Sequence, residues 1–503
     1  GWAIQHETKE QLGERYRNTQ LYDRFDPDVT ADIAYYAFYW QQYDVAAEAI
    51  DDTLKADPYR FDLMALRLQA ERGRTGRQIE KADIDGLAGE ASGWPQYRDN
   101  VANLYYLAGL VSEAESAYRR ILDEEPGHRN AFFRLVQLQV LQGRLLECEA
   151  MVPPFVQRHP DLSGNRAIVQ IANAWIDRRE YERAAAFVER HMDDLDPMQG
   201  STICMLARLR WHRGDRQGAR AEFARYRQRY RATPGPRLQA ELEAVAGNWN
   251  DVWRLGSQMR STFPRKTYGY WFQALHHLHA GDVPVASKAA GDGLIMMVHS
   301  ANAFEMYARG KLLFGELDAA LRACRDGQRF VRSDHHLLKD ETEVKILLTS
   351  GSTAAAEPLI ARMKLFSPLD LPTQVCEALW RLQRGEVAEA RSIIGRARQS
   401  NPRDTKVQVA HARILLVEGM AEEAVDELHY ALDNLHDPSL FPETCFCLGR
   451  ALAEAGETDE ARKAYDRLLA EWPAGLWADR ARENLERLET AAEDTSDKNE
   501  AIN

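Results

Sequence analysis

Ten glycines recur along this chain at a near-constant interval: Gly109, Gly143, Gly214, Gly247, Gly281, Gly315, Gly351, Gly385, Gly419 and Gly456. Successive gaps are 34, 71, 33, 34, 34, 36, 34, 34 and 37 residues; the 71 is two periods, with Arg179 standing where a glycine is missing. A fixed period of this length marks a chain of repeated supersecondary units, each burying its apolar face only against its neighbours. The 503 residues leave room for about a dozen of them.

Two companion positions move with the glycine. Seven residues before it stands a small residue (Ala102, Ala172, Ala207, Ala240, Ala274, Ala308, Ala378, Ala412 and Gly449), with Val136 and Val344 as departures. Five residues after it stands another (Ala114, Ala184, Ala219, Ala286, Ala320, Ala356, Ala390, Ala424 and Ala461), with Cys148 and Val252 as departures. Antiparallel helices cross at close range only where the residues at the crossing are small. The turn between them needs positive φ, which glycine adopts without strain. Pro126, Pro160, Pro264, Pro368, Pro402 and Pro473 fall 17 residues after the marker, where they end the second helix.

This pattern resembles the tetratricopeptide repeat, most fully in Leu448-Gly449, Gly456, Ala461, Tyr465 and Pro473. The resemblance implies an all-α fold, a right-handed α-solenoid superhelix of about 13 helix pairs with a C-terminal capping helix. Gln41-Gln42-Tyr43 with Ala46 and Pro58 marks the first repeat, and residues 60–95 a degenerate second. The expected divisions are an N-terminal helix or membrane-proximal segment at 1–27, repeats at 28–233 and 234–474, a capping helix at 475–490 and a disordered acidic tail at 491–503. Pro153-Pro154 is expected to kink a second helix, and Pro234-Gly235-Pro236 to act as a hinge or a change of path near residue 235.

Composition removes several classes of function. The net charge of −13 and pI of about 5.6 argue against a nucleic-acid partner, which needs clustered cations. No stretch approaches the roughly 20 apolar residues that span a bilayer. Gly1-Trp2-Ala3-Ile4 before a charged run is consistent with the end of an N-terminal membrane tether, or equally with a frayed terminus. The six cysteines are scattered without a Cys-x-x-Cys pair and lean to a reducing compartment. A bacterial cytoplasmic or membrane-associated protein is favoured, the arginine and alanine bias fitting a bacterial source, with the periplasm as the alternative. Signatures of catalysis, nucleotide binding and cofactor binding are missing, so no enzyme, cofactor or metal is expected. His276, His277 and His279 lack a carboxylate or cysteine at ligand spacing. Asp23, Asp26, Asp28 and Asp32 lack the glycine and glutamate of a calcium loop.

The resemblance also implies that first helices line a concave surface, at positions one and four or five after the small residue and three before it. Those positions, with Tyr268 one turn before Trp271, give two aromatic regions: Tyr35, Phe38, Tyr39, Tyr106 and Phe133, then Trp211, His212, Tyr268, Trp271 and His279. Aromatic side chains supply large contact area at low entropic cost. The residue just after the small one is cationic in Arg208, Arg309, Lys345, Arg413 and Arg450. Such a row suits an acidic partner segment, unless acids such as Glu305 and Glu341 neutralise it. Some family members grip a C-terminal carboxylate with lysine and asparagine. Asn103 and Asn173 fit the asparagine, but Asp99 stands where the lysine is needed, so that clamp is not expected.

The expected function is a non-catalytic scaffold or adaptor that binds extended or helical segments of partner proteins in its concave groove. Its setting would be a bacterial multiprotein assembly, envelope-associated if the terminus is tethered. The alternatives are a binding module for an anionic polymer in exopolysaccharide or envelope biogenesis, and a regulatory subunit docked on an enzyme.

Overall fold

The computed structural model describes residues 27–230, 232, 234–297, 300–328, 336–435 and 437–502. Among them are 27 α-helices and no strand. In chain order they form thirteen first-and-second pairs, from Pro27–Tyr39 with Tyr43–Ala56 to Phe441–Glu454 with Thr458–Glu471, and one last helix, Leu476–Ile502. The fold is an all-α array of stacked helices, an α-solenoid.

One repeat shows how residues make the unit. In helix Thr458–Glu471, Asp459 and Glu460 lie in the first turn, where negative charge suits the helix dipole. Ala461, Ala464, Tyr465 and Leu468 share one face and are buried. The preceding helix ends with Gly456 at φ 84°. There Glu457 N–H donates to the Leu452 carbonyl (2.9 Å) and Gly456 N–H to that of Ala453 (3.2 Å), so the left-handed residue satisfies two carbonyls that the helix leaves open.

All ten marker glycines adopt positive φ. Among the described residues the non-glycine positive φ values are Gln41 (61°) and Arg179 (59°), the positions that stand in for glycine in the first repeat and in the double gap. Both make the same paired carbonyl contacts. The small positions are equally regular: Ala102, Ala172, Ala207, Ala308, Ala114, Ala184, Ala219 and Ala320 are all 0% exposed. The valine and cysteine departures, Val136, Val344, Cys148 and Val252, are buried too. The degenerate second repeat differs: helix Phe61–Thr75 ends at Gly76 (φ 70°), and four further residues precede helix Lys81–Glu90.

Contacts divide the chain into two units. The first holds Gly1–Leu141, Phe330–Glu341 and Glu357–Thr373; the second holds Gln142–Arg329, Thr342–Ala356 and Gln374–Asn503. In the first, Arg72 is buried. Its Nη1 donates to the carbonyls of Leu107 (3.1 Å) and Leu365 (3.2 Å), and the guanidinium lies 4.9 Å from the Phe366 ring centroid. Burial pulls this guanidinium down to about 10. In the second, Trp477 packs at 5.3 Å on Phe446, and Ala478 and Ala481 are buried, so the last helix covers the final apolar face.

Helix Leu145–Arg158 contains Pro153 and Pro154, the pair expected to kink it, and is continuous across them. Pro234 opens helix Pro234–Val245, and Gly235 is pressed against Tyr226, where an added Cβ would come 2.4 Å from the ring. Proline fits a first helical turn because the amides there have no intrahelical partner. The last helix continues to Ile502 past the residue-490 limit, along a run rich in alanine and glutamate. The segment expected at 1–27 lies outside the described residues, save Pro27.

The turn geometry is open to a stability test. Gly214 has φ 89° and no atom within 4 Å of an added Cβ, so Gly214→Ala isolates the backbone term. It should lower stability by about 1–2 kcal/mol in urea unfolding. Arg179→Gly should raise it by about 0.5 kcal/mol, strain relief outweighing the entropy glycine loses.

Candidate functional site

The first-helix face of the first unit carries partly exposed aromatic side chains. Tyr35 is 41% exposed, and its hydroxyl donates to Asp62 Oδ2 (2.9 Å). Arg60 grips the same carboxylate through Nε (3.0 Å) and Nη2 (2.9 Å). Burial works against ionisation of Asp62, but the bonds from Arg60 and Tyr35 outweigh it and hold the carboxyl below its ordinary range. Phe38 meets Tyr43 edge-on at 5.7 Å, and Tyr39 meets Trp40 at 6.1 Å. Tyr106 accepts from Gln137 Nε2 (3.1 Å) and lies under the Arg134 guanidinium at 5.5 Å. Burial first, then Asp370, pushes its phenol up to about 12. Phe133 is half-buried, edge-on to Phe132 at 5.5 Å.

In the second unit the large aromatics are not offered as an open surface. Trp211 is buried among Ala207, Ala219, Phe223 and Leu242, with Arg216 and Arg220 at 5.5 and 5.9 Å from its ring. Trp271 is buried in a core that includes Leu275 and Phe272, with Arg309 at 5.2 Å. An indole at these positions reaches apolar neighbours, and an arginine lies over its ring. His212 stacks on Tyr181 at 4.7 Å, and burial, with Arg208 and Arg179 near, pulls it down to about 4. Tyr268 accepts from Arg237 Nη1 (2.9 Å), whose guanidinium lies 4.5 Å from its ring. His279 stacks on Trp249 at 4.3 Å and meets Trp472 edge-on at 6.2 Å.

Acids or polar groups of the same unit hold most of the cation row. Arg208 donates to Asn173 Oδ1 (2.9 Å) and Asp177 Oδ1 (2.6 Å). Arg309 bonds Asp437 Oδ2 (2.8 Å) and lies 3.8 Å from Glu305. Arg413 lies 3.7 Å from Glu443, and Arg450 2.9 Å from Glu454. Lys345 is half-buried. Arg237 and Glu241, joined at 2.8 Å, complete this face. They sit three before and one after Ala240, so the rule that gave the other face positions also predicts them. By contrast, the exposed Tyr59–Trp94 stack (5.6 Å) lies at repeat junctions, which that rule does not cover.

His276 Nδ1 lies 3.1 Å from the Trp249 carbonyl oxygen. Among the described residues no group of three or more His, Cys, Asp or Glu side chains could hold a metal, and no helix is long and apolar enough to cross a membrane. Asp28 pairs with Arg60 at 3.6 Å, whereas Asp23 and Asp26 lie outside the described residues. The six cysteines are thiols rather than disulfides; burial raises Cys148 and Cys445 to about 12 and Cys447 to about 11, which disfavours the reactive thiolate.

No protein-family model matches the chain, and no curated protein matches it. Among solved structures, the "Crystal structure of APC/C hetero-tetramer Cut9-Hcn1" is similar at a TM-score of 0.37 and 12% identity, over 93% of this chain and 98% of that one. Agreement at that level carries no argument, so the fold rests on the helices themselves and the function on the faces they present.

Two substitutions test this placement. Trp271→Ala should cost about 3 kcal/mol or more in denaturant unfolding, because it empties a packed site. His212 titrates at about 4 when folded against 6.5 ordinarily, so its neutral form is the one the fold favours. The stability it contributes is present above pH 6.5 and is lost as pH falls toward 4. His212→Phe, which keeps the ring stack, should show a shallower fall in thermal midpoint across that window.

Proposed function

We propose that the chain is a non-catalytic scaffold or adaptor that binds segments of partner proteins along its first-helix faces. The observation that carries this reading is the partly exposed aromatic set Tyr35, Phe38, Tyr39, Tyr106 and Phe133, displayed on three first helices of the first unit, Pro27–Tyr39, Arg98–Leu107 and Arg129–Leu141. Such rings match the residues that dominate protein interfaces, and an array of thirteen helix pairs offers more surface than one standard interface uses. A bacterial multiprotein assembly is the setting that the arginine and alanine bias favours.

The structure changes the weight of the alternatives. A groove for an anionic polymer needs free cations, yet Arg208, Arg309, Arg413 and Arg450 are paired with acids of the chain. A polypeptide partner meeting the aromatic face requires no such release. A regulatory subunit docked on an enzyme would use the same face and is one form of this function.

The test is affinity purification of the tagged full chain from its source in mild detergent, with identification of what accompanies it. A stoichiometric set of proteins is expected. Tyr39→Ala combined with Phe133→Ala should weaken their retention by roughly tenfold or more, the scale of a lost hot spot, with little change in the unfolding midpoint. Recovery of the chain alone would overturn the scaffold reading.

A further inference from the structure

The junctions on either side of the second repeat carry an aromatic cluster that the first-helix reading does not use. Residues 57–60 link helix Tyr43–Ala56 to helix Phe61–Thr75, and residues 91–97 link helix Lys81–Glu90 to helix Arg98–Leu107. Pro95 disfavours a helical conformation for the residue before it, so Trp94 stands outside the helical region (φ −125°, ψ 82°) between the short turns Ala91–Gly93 and Pro95–Tyr97. From there its indole stacks on Tyr59, with the ring planes 25° apart. Phe61, which opens its helix, is buried; it meets the Trp94 ring at 6.2 Å and the Tyr97 ring edge-on at 5.5 Å. One buried ring thus holds two others in place, while Tyr59 stays 59% exposed and Trp94 39%. Rings that are both exposed and fixed lose little freedom when a ligand lands on them.

The polar groups around the stack select that ligand. Among the described residues, neither the Tyr59 hydroxyl nor the Trp94 Nε1–H has a hydrogen-bond partner. A sugar ring would also stack here, but its hydroxyls call for polar side chains with capacity to spare. Those at hand are engaged: Arg60 grips Asp62 through two nitrogens, and Tyr35 donates to the same carboxylate. An open indole N–H beside aromatic faces suits the carbonyls and rings of a polyproline II segment, which has no internal hydrogen bonds to give up. The charge at the stack is negative. Tyr59 N–H donates to Asp57 Oδ1 (3.2 Å), which holds that carboxylate beside Tyr59, and Asp57 has no ion-pair partner among the described residues.

We propose that the Tyr59–Trp94 stack is a docking site for a proline-rich segment of a partner protein, bound as polyproline II with a lysine or arginine beside its prolines. Proline rings pack on Tyr59 and Trp94, the indole N–H donates to a carbonyl of the segment, and Asp57 meets the flanking cation. The site belongs to the repeat junctions and not to the first-helix face, so it gives the chain a second polypeptide surface with its own ligand chemistry.

The experiment uses the full chain and three short fluorescent peptides, read by anisotropy at physiological salt. One is built of proline and alanine with a flanking arginine, one has glycine for every proline, and one has glutamate for the arginine. The proline–arginine peptide should bind roughly tenfold tighter than the glycine peptide, because its conformation is set before it binds. Tyr59→Ala and Trp94→Ala should each weaken it by roughly tenfold, the scale of a lost hot spot. Trp94→Phe, which keeps a ring and removes the N–H, should weaken it less, and Asp57→Asn should remove the preference for arginine over glutamate. Tyr59→Ala should leave the unfolding midpoint in place, since most of that side chain is in water. Tyr39→Ala with Phe133→Ala should leave proline-peptide binding unchanged, so the junction site and the first-helix face stand or fall separately. Equal binding of the proline and glycine peptides, or proline binding that survives both Tyr59→Ala and Trp94→Ala, would overturn the proposal. Failure of the proline peptide to bind would overturn it as well, and a neutral oligosaccharide that bound in its place would assign the stack to sugar.

Discussion

The close crossing of two helices at a small side chain is the contact on which the rest of this fold depends. The alanines seven residues before and five after each turn lose all or nearly all solvent contact, and the departures at these positions go no larger than valine, which keeps the helices close. The final repeat shows how tight the fit is. There Gly449 replaces alanine because the buried Tyr465 ring fills the space; an added Cβ would lie 2.5 Å from a ring carbon. The left-handed turn is the other half of the same constraint, since it sets the second helix at the angle that makes the crossing.

Once the crossing is set, each first helix presents fixed positions to one face, and what stands there decides what the face can do. In the first unit those positions hold tyrosine, phenylalanine, aspartate and asparagine, several of them partly exposed. In the second they hold indoles and arginines that have largely found each other, as in Arg309 over Trp271 and Arg237 over Tyr268. A cation stacked on a ring and paired with an acid has little left to offer a partner, so the two units differ in chemistry while sharing one repeat.

Much of this was legible in the residues. The turn positions, including the two where Gln41 and Arg179 replace glycine, follow from spacing alone, because a turn closed by neighbouring carbonyls is a local event. The inner-face positions followed as well, and the same rule extends to Arg237 and Glu241. Exposure did not follow. Trp211 and Trp271 stand at inner-face positions yet are buried, since a long side chain can fold back onto its neighbours. The candidate hinge at Pro234-Gly235-Pro236 is a helix start, because proline reads alike as a breaker and as a first-turn residue.

The sequence by itself determined the unit: a helix pair with a left-handed turn, a small-residue crossing and a proline stop, repeated until the last helix covers the end. Every one of those signals spans less than one period, so each is written in adjacent residues. Only the tertiary structure decided which distant repeats meet. Arg72 caps a carbonyl 293 residues away at Leu365, and Arg178 reaches Ser400 across 222 residues. An arginine that will cap a remote helix end looks, in sequence, like any surface arginine. Its partner is a backbone carbonyl, which every residue carries, so nothing in the side-chain pattern marks the pair.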